Sequence, residues 1–203
     1  MEYSSVNQQR RSVNVFDPSV KISEEEIESI FQEANLAPSS FNLQPWKIIV
    51  ALTPAIKTGL KAAAFNQGKV TQASAVLVFF GNTRQYLESD DIFSDWVKKG
   101  YLEEYKVDET KQMAENLYAG DKEIGFVSRN VGLLAMNFML SAQDRGWDTH
   151  AMDGFDIEAV KELFDLPDKY LPVMLVAIGK KLPSQKLLDR AMRRSYYDVC
   201  EVR

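Results

Sequence analysis

The sequence predicts a mixed domain of helices and buried strands, and three stretches carry that expectation. Residues 75–80, Ala-Val-Leu-Val-Phe-Phe, and residues 172–179, Pro-Val-Met-Leu-Val-Ala-Ile-Gly, are short apolar runs rich in β-branched and aromatic side chains, as expected of strands covered on both faces. Between them, residues 123–145 form a long apolar run at helical spacing, closed by Gly146. At 203 residues and 45% hydrophobic content the chain can bury a full core, and 1–203 reads as one domain.

Taken in order, residues 8–16 carry Arg10-Arg11-Ser12 and then alternate before Asp17-Pro18. Arg10 and Arg11 beside Ser12 form either a solvated surface pair or a small anion clamp, since guanidinium forks match phosphate oxygens. Ser23 and Glu26 make a capping box for a helix over 23–37, with Ile27, Ile30, Phe31 and Leu36 near one face. Two prolines, a Ser pair and Asn42 then break the pattern, so Pro38-Ser-Ser-Phe-Asn-Leu-Gln-Pro-Trp46 is a loop feeding a strand over 47–52. Held between two rigid elements, Ser39, Ser40, Asn42 and Gln44 need partners. Their amides either tie down the loop itself or read the edge of a heterocycle that presents carbonyls and an imide N–H.

A helix is expected over 54–64, after which Asn66 and Lys69 lie in the approach to the strand 75–80; taken alone they are a loop amide and a surface lysine. Residues 84–120 scatter Tyr86, Phe93, Trp96, Tyr101, Tyr105 and Tyr118 among charges, which predicts two or three amphipathic helices in an excursion from the core. The helix over 123–145 adds Gly132, Ala135 and Ser141 to apolar groups on several sides. It should be buried nearly all round, in the core and in a subunit interface, with Met136 and Met139 as core filler. Residues 147–156 read as a short strand and turn, with Asp156 capping a helix over 157–164. His150, the single histidine, has no Cys or second His nearby and reads as structural. The basic tail 190–199 holds a second candidate anion clamp, Arg193 and Arg194, and ends in strand-like residues.

Composition narrows the partners. Twenty-four basic against 29 acidic residues give a net charge of −5, so no general attraction to nucleic acid or to an anionic membrane is expected. One cysteine, Cys200, excludes an internal disulfide framework and a multi-cysteine metal site, and fits a reducing compartment. The first residues lack the apolar core of a secretory signal, and the nearly uncharged run 131–142 falls short of the roughly 20 residues that cross a bilayer, so cytoplasm is expected. No GxGxxG, phosphate-loop, GxSxG or paired-carboxylate pattern occurs. With no catalytic set of side chains, the chemistry should belong to a bound cofactor, and the dispersed Arg, Ser, Asn, Gln and Lys groups suit a phosphorylated heterocycle.

Arg10-Arg11-Ser12, the Pro38–Trp46 loop, Asp153-Gly154-Phe155 and the apolar strand running to Lys180 follow one another in the order that resembles the flavin-dependent nitroreductase family. The resemblance spans almost the whole chain. It implies an α+β fold, a mainly antiparallel sheet between helices, built as an intertwined homodimer with FMN at the subunit interface. By similarity, Arg10, Arg11 and Ser12 would meet the phosphate and neighbouring parts of FMN, and Asn66 and Lys69 its pyrimidine side. Ser39, Ser40 and Asn42, with Gln44 in the same loop, would reach in from the other subunit. Asp153 and Gly154 would bring backbone N–H groups to the flavin N5, and Arg194 with Arg193 would add a phosphate contact. The implied activity is hydride transfer from NADH or NADPH through FMN to nitro compounds, quinones or similar electrophiles. Both substrates would stack on one exposed ring face, so no nicotinamide motif is needed. The alternatives are a non-catalytic flavin-binding or storage module and a dehalogenase-type reductase on the same scaffold. Three positions depart from the family pattern: Asn14, where many relatives are basic; Asp153, where Glu is frequent; and Arg193-Arg194, adjacent rather than spaced by one.

Overall fold

The protein is described by a computed structural model over residues 2–203. Its elements are α1 (Tyr3–Gln9), α2 (Glu24–Ala34), β1 (Trp46–Ala51), α3 (Pro54–Ala63), α4 (Lys69–Gln72), β2 (Ala75–Asn82), α5 (Asp90–Lys98), α6 (Val107–Tyr118), α7 (Glu123–Asp144), β3 (Asp148–Met152), α8 (Ile157–Phe164), β4 (Tyr170–Gly179) and α9 (Tyr196–Val199). The four strands form one sheet in the order β1-β2-β4-β3, and each neighbouring pair is antiparallel. This is the α+β architecture the resemblance implied.

Alternation along β2 sets the two layers. Ala75, Leu77 and Phe79 face the cluster built with α2 and α7, where Phe79 meets Phe138 edge-on at 5.9 Å. Val76, Val78 and Phe80 face the opposite cluster, built with α3, α4 and α8. Every residue of β2 is buried, so its run has no polar face to show, as its sequence predicted. Gly81 is where α7 comes closest: a Cβ there would stand 2.3 Å from the Val127 Cβ. Pro172 lies beyond the β3 ladder, which pairs only with residues 175–179, and stands opposite Phe80 where the β2–β4 register shifts, a place in a sheet where proline is tolerated.

The capping box of α2 forms, with the Ser23 hydroxyl accepting from the Glu26 N–H at 3.2 Å and the Glu26 carboxylate from the Ser23 N–H at 3.1 Å. Asp156 caps α8 at the Ala159 N–H. Residues 84–120 hold α5 and α6 with short 3-10 turns, tied together by Phe93, Trp96 and Tyr118.

Several expectations need correction. Helix α2 ends at Ala34, so Leu36 lies beyond it and is exposed instead of sharing its apolar face. Residues 3–9 form a helix, α1, that no periodic pattern announced. The tail ends in one helical turn at α9 rather than a strand, with Ser195 and Asp198 forming a capping box at its start. In α7 only one side is covered within the chain. Met139 is core, but Met136, Leu133 and Ile124 are exposed, since one sheet and α2 cannot surround a 22-residue helix. By length and composition the stretch Gly120–Asp144 could cross a membrane, longer than the run the sequence suggested; its buried side packs on the sheet as a core helix does.

Candidate functional site

After α1, Arg10 turns the chain through its N–H bond to the Val6 carbonyl, and the next residues run extended beside β3. Ser12 bridges to Thr149, and the Val13 N–H donates to the Thr149 carbonyl at 3.1 Å. Buried Val13 and Phe16 anchor this segment, leaving Arg10, Arg11, Ser12 and Asn14 on its open side. The tail folds back over them: the Gln185 amide oxygen accepts from the Val15 N–H at 3.1 Å, and the Arg11 guanidinium donates to the Leu188 carbonyl at 2.7 Å. Arg190 donates to the Gln8 and Arg10 carbonyls at 2.7 and 3.3 Å. Together these close a cleft of about 360 Å³.

Positive charge predominates in this cleft, where Arg10, Arg11, Lys186, Arg190 and Arg193 stand against the single carboxylate of Asp189. Burial, and then Arg190, Arg11 and Arg193, hold the Arg10 guanidinium below its ordinary pKa. Among the described residues none of these arginines makes an ion pair with a carboxylate. Four guanidinium groups that repel one another around one cleft make a site for an anion with several oxygens.

Beside the cleft stands a second cation. Helix α4 begins at Lys69, whose Nζ lies 3.0 Å from the Asn14 Oδ1 and 2.9 Å from the His150 Nε2. The other ring nitrogen, Nδ1, lies 2.9 Å from the Val13 carbonyl, which only accepts. The proton is therefore on Nδ1, and Nε2 accepts from Lys69. One N–H of the Lys69 ammonium is left without a protein acceptor among the described residues. The turn after β3 lies close by, with the Gly154 carbonyl accepting from the Gln67 amide at 2.9 Å. The Gly154 N–H has no protein partner among the described residues. Asn66 takes the left-handed conformation at φ 60°, and its exposed amide is likewise uncommitted.

The loop half is built differently. The Ser40 N–H donates to the Asn130 Oδ1 at 2.8 Å, and the buried Asn130 amide is fixed in turn by the Phe126 carbonyl at 2.7 Å. The Ser39 hydroxyl accepts from the Gln44 N–H at 3.0 Å, and the Gln44 amide donates to the Asn42 carbonyl at 3.2 Å. Gln44 thus ties down its own loop, one of the two outcomes the sequence left open. Phe41, Asn42 and Gln44 all take positive φ, a conformation that asparagine accepts readily and phenylalanine does not. Phe41 is held there by stacking on Trp96 at 6.5 Å and meeting Tyr118 edge-on at 6.1 Å.

The structure therefore gathers Arg10, Arg11, Ser12, Asn14, Lys69 and Arg193 into one region, with Asn66, Asp153 and Gly154 close to Lys69 through Gln67. Ser39, Ser40, Asn42 and Gln44 form a separate group: among the described residues none of their hydrogen bonds reaches the first group, and none of them lines the arginine cleft. Arg194 is exposed and takes no part in the cleft. Sequence reasoning missed His150 as a partner of Lys69. A lone histidine carries no spacing signal, and what pairs it with Lys69 is the tertiary fold, which brings the start of α4 to β3.

The nitroreductase family description matches residues 8–180. The chain belongs to the nitroreductase family. It is 39% identical over 188 residues to the "Putative NAD(P)H nitroreductase YdgI" of Bacillus subtilis (strain 168), covering 88% of each chain. The "CLA biosynthesis enone reductase" of Lactiplantibacillus plantarum is 33% identical over 177 residues, 84% of this chain and 82% of that one. A crystal structure from Exiguobacterium sibiricum, of a "putative nitroreductase in complex with FMN", shares 31% identity and a TM-score of 0.88 over 100% of this nitroreductase-family chain and 98% of that chain.

Proposed function

We propose that the protein is an FMN-dependent NAD(P)H oxidoreductase that works as a homodimer and reduces nitro compounds, quinones or related electrophiles in a ping-pong cycle. The observation that carries this reading is the cleft of uncompensated guanidinium groups next to a lysine ammonium with a spare donor, in a member of the nitroreductase family. The residues fit the cofactor. Arg10, Arg11, Ser12 and Arg193 would hold the phosphate, and Lys69 with Asn66 would face the pyrimidine edge. The free Gly154 N–H, beside Asp153, is a ready donor to a ring nitrogen. When bound, FMN supplies the hydride chemistry that the side chains lack.

The second copy is supported by surface left uncovered. Leu36, Leu133 and Met136 border a cleft of about 390 Å³ next to the Ser39 loop, and Ile27, Phe31, Trp46 and Ile48 line a groove of about 630 Å³ beside the unpaired edge of β1. Leu188, Met192, Tyr197 and Val202 of the tail are all more than four-fifths exposed. A partner that covers these apolar faces would also bring its Ser39, Ser40 and Asn42 to the arginine cleft. The exposed, unpaired Cys200 suits a reducing interior, and we assign the protein to the cytoplasm.

The purified protein should be yellow, and its flavin absorbance should bleach anaerobically when NADH or NADPH is added. A colourless preparation that ignores added FMN overturns the reading. Bound FMN that neither nicotinamide reduces would point instead to a storage module.

A further inference from the structure

We propose that His150 is a positioning residue: its unprotonated ring holds the Lys69 ammonium at the edge of the arginine cleft, and protonating the ring releases it. This rests on the FMN reading of the same site. The geometry is a chain of three contacts. The Val13 carbonyl accepts from the Nδ1–H, Nε2 accepts from the Lys69 Nζ at 2.9 Å, and the Asn14 Oδ1 accepts from a second Lys69 N–H at 3.0 Å. With two acceptors fixed, the third N–H of the ammonium has a defined direction. Asn14, which departs from the basic residue common in the family, thus contributes an acceptor that steers Lys69 instead of a charge of its own.

A protonated ring cannot keep this arrangement. Both nitrogens of imidazolium are donors, so Nε2 would turn an N–H and a positive charge toward an ammonium at hydrogen-bond distance. The charged groups facing the ring are Lys69 from α4 and Arg10 from the segment beside β3, both cations. Asn14 and the Val13 carbonyl are neutral, and β4 opposite presents Ala177. Burial, and then Lys69 and Arg10, accordingly hold the imidazole below its ordinary range. The device therefore stays engaged at neutral pH and lets go in acid.

Because His150 is the chain's only histidine, its ring protons can be assigned by NMR without mutagenesis. In the full-length protein without added FMN, its titration should lie below the ordinary histidine range and move upward in Lys69→Met. A titration unmoved by Lys69→Met overturns the contact. FMN affinity is then followed by flavin fluorescence from about pH 8 to about pH 5. At the upper end His150→Ala should bind about tenfold more weakly, the worth of one hydrogen bond to a charged group, while His150→Gln, whose amide oxygen still accepts, stays within about threefold of the parent. As pH falls, the parent should lose affinity faster than His150→Gln. The second proton of the FMN phosphate, which titrates near pH 6, affects both equally and cancels in the comparison. His150→Ala binding within about twofold of the parent, or parallel pH profiles for parent and His150→Gln, overturns the proposal. Failure of the parent to bind FMN at any pH would sink the functional reading instead, and the Lys69→Met titration would still decide the His150 contact.

Discussion

Around Ser40 the loop's polar groups are answered from within the protein, whereas around Arg10 the charged groups that act on its guanidinium are three more arginines. Asn130, buried in α7, accepts from the Ser40 N–H and donates to the Phe126 carbonyl, and Ser39 and Gln44 close the loop on itself. Its strained Phe41 is held by rings from the excursion. The arginine cleft has the reverse character. Its guanidinium groups lean on backbone carbonyls, Arg11 on Leu188 of the tail and Arg190 on Gln8, make no ion pair with a carboxylate among the described residues, and repel one another. Neutral hydrogen bonds anchored in the core set a shape before any ligand arrives. A group of like charges is assembled at a cost to the fold, and that cost is offset only when an anion binds. The loop is therefore a positioning surface and the cleft an electrostatic one, and substitutions should separate the two.

The largest effect is expected on the electrostatic side. Arg10→Ala combined with Arg193→Ala should weaken FMN binding about a hundredfold, two charge-assisted contacts at roughly 1.5 kcal/mol or more each, with the thermal midpoint unchanged or slightly raised because repulsion is relieved. Equilibrium dialysis and a melting curve measure both quantities. FMN retention equal to that of the parent would mean that the phosphate is held elsewhere. Next comes the positioning side, where Asn130→Ala should lose about 2 kcal/mol of stability, leaving the Ser40 N–H and the Phe126 carbonyl without their partner. Urea denaturation reads this, and an unchanged midpoint would show that the loop holds its shape without Asn130. The smallest effect is the acid dependence of stability. An unfolded histidine titrates near its ordinary 6.5, and His150 in the fold lies lower. Between those limits the unfolded chain binds more protons, so this contribution to stability should rise with pH through that window and be level on either side of it. His150→Gln should flatten the curve there, and identical curves would remove His150 from the account.

Residues that carry their own pattern were legible from the sequence. The uniformly buried β2, the capping box of α2, the Asp156 cap and the long α7 all follow from spacing within one stretch, because the physics that selects them acts over one turn of helix or one strand. The basic pairs and the Ser39–Gln44 loop were legible as candidates, since residue type limits what a side chain can bind. The end of α2, the uncovered side of α7 and the helix α1 were not, because they depend on which neighbour is present to cover an apolar residue.

By itself, the sequence determined the helices and strands, the apolar faces that had to be covered, and the absence of a catalytic side-chain set that points to a cofactor. The tertiary structure alone decided that Arg193 rather than Arg194 stands within reach of Arg10, that Gln44 spends its amide on its own loop, and that His150 belongs with Lys69 and Asn14. The first and the last join residues far apart in the chain, and the Gln44 bond depends on the left-handed turn its loop takes. Hydrogen bonds and charge repulsion depend on distances of a few ångströms in space, and no periodicity along a chain encodes them.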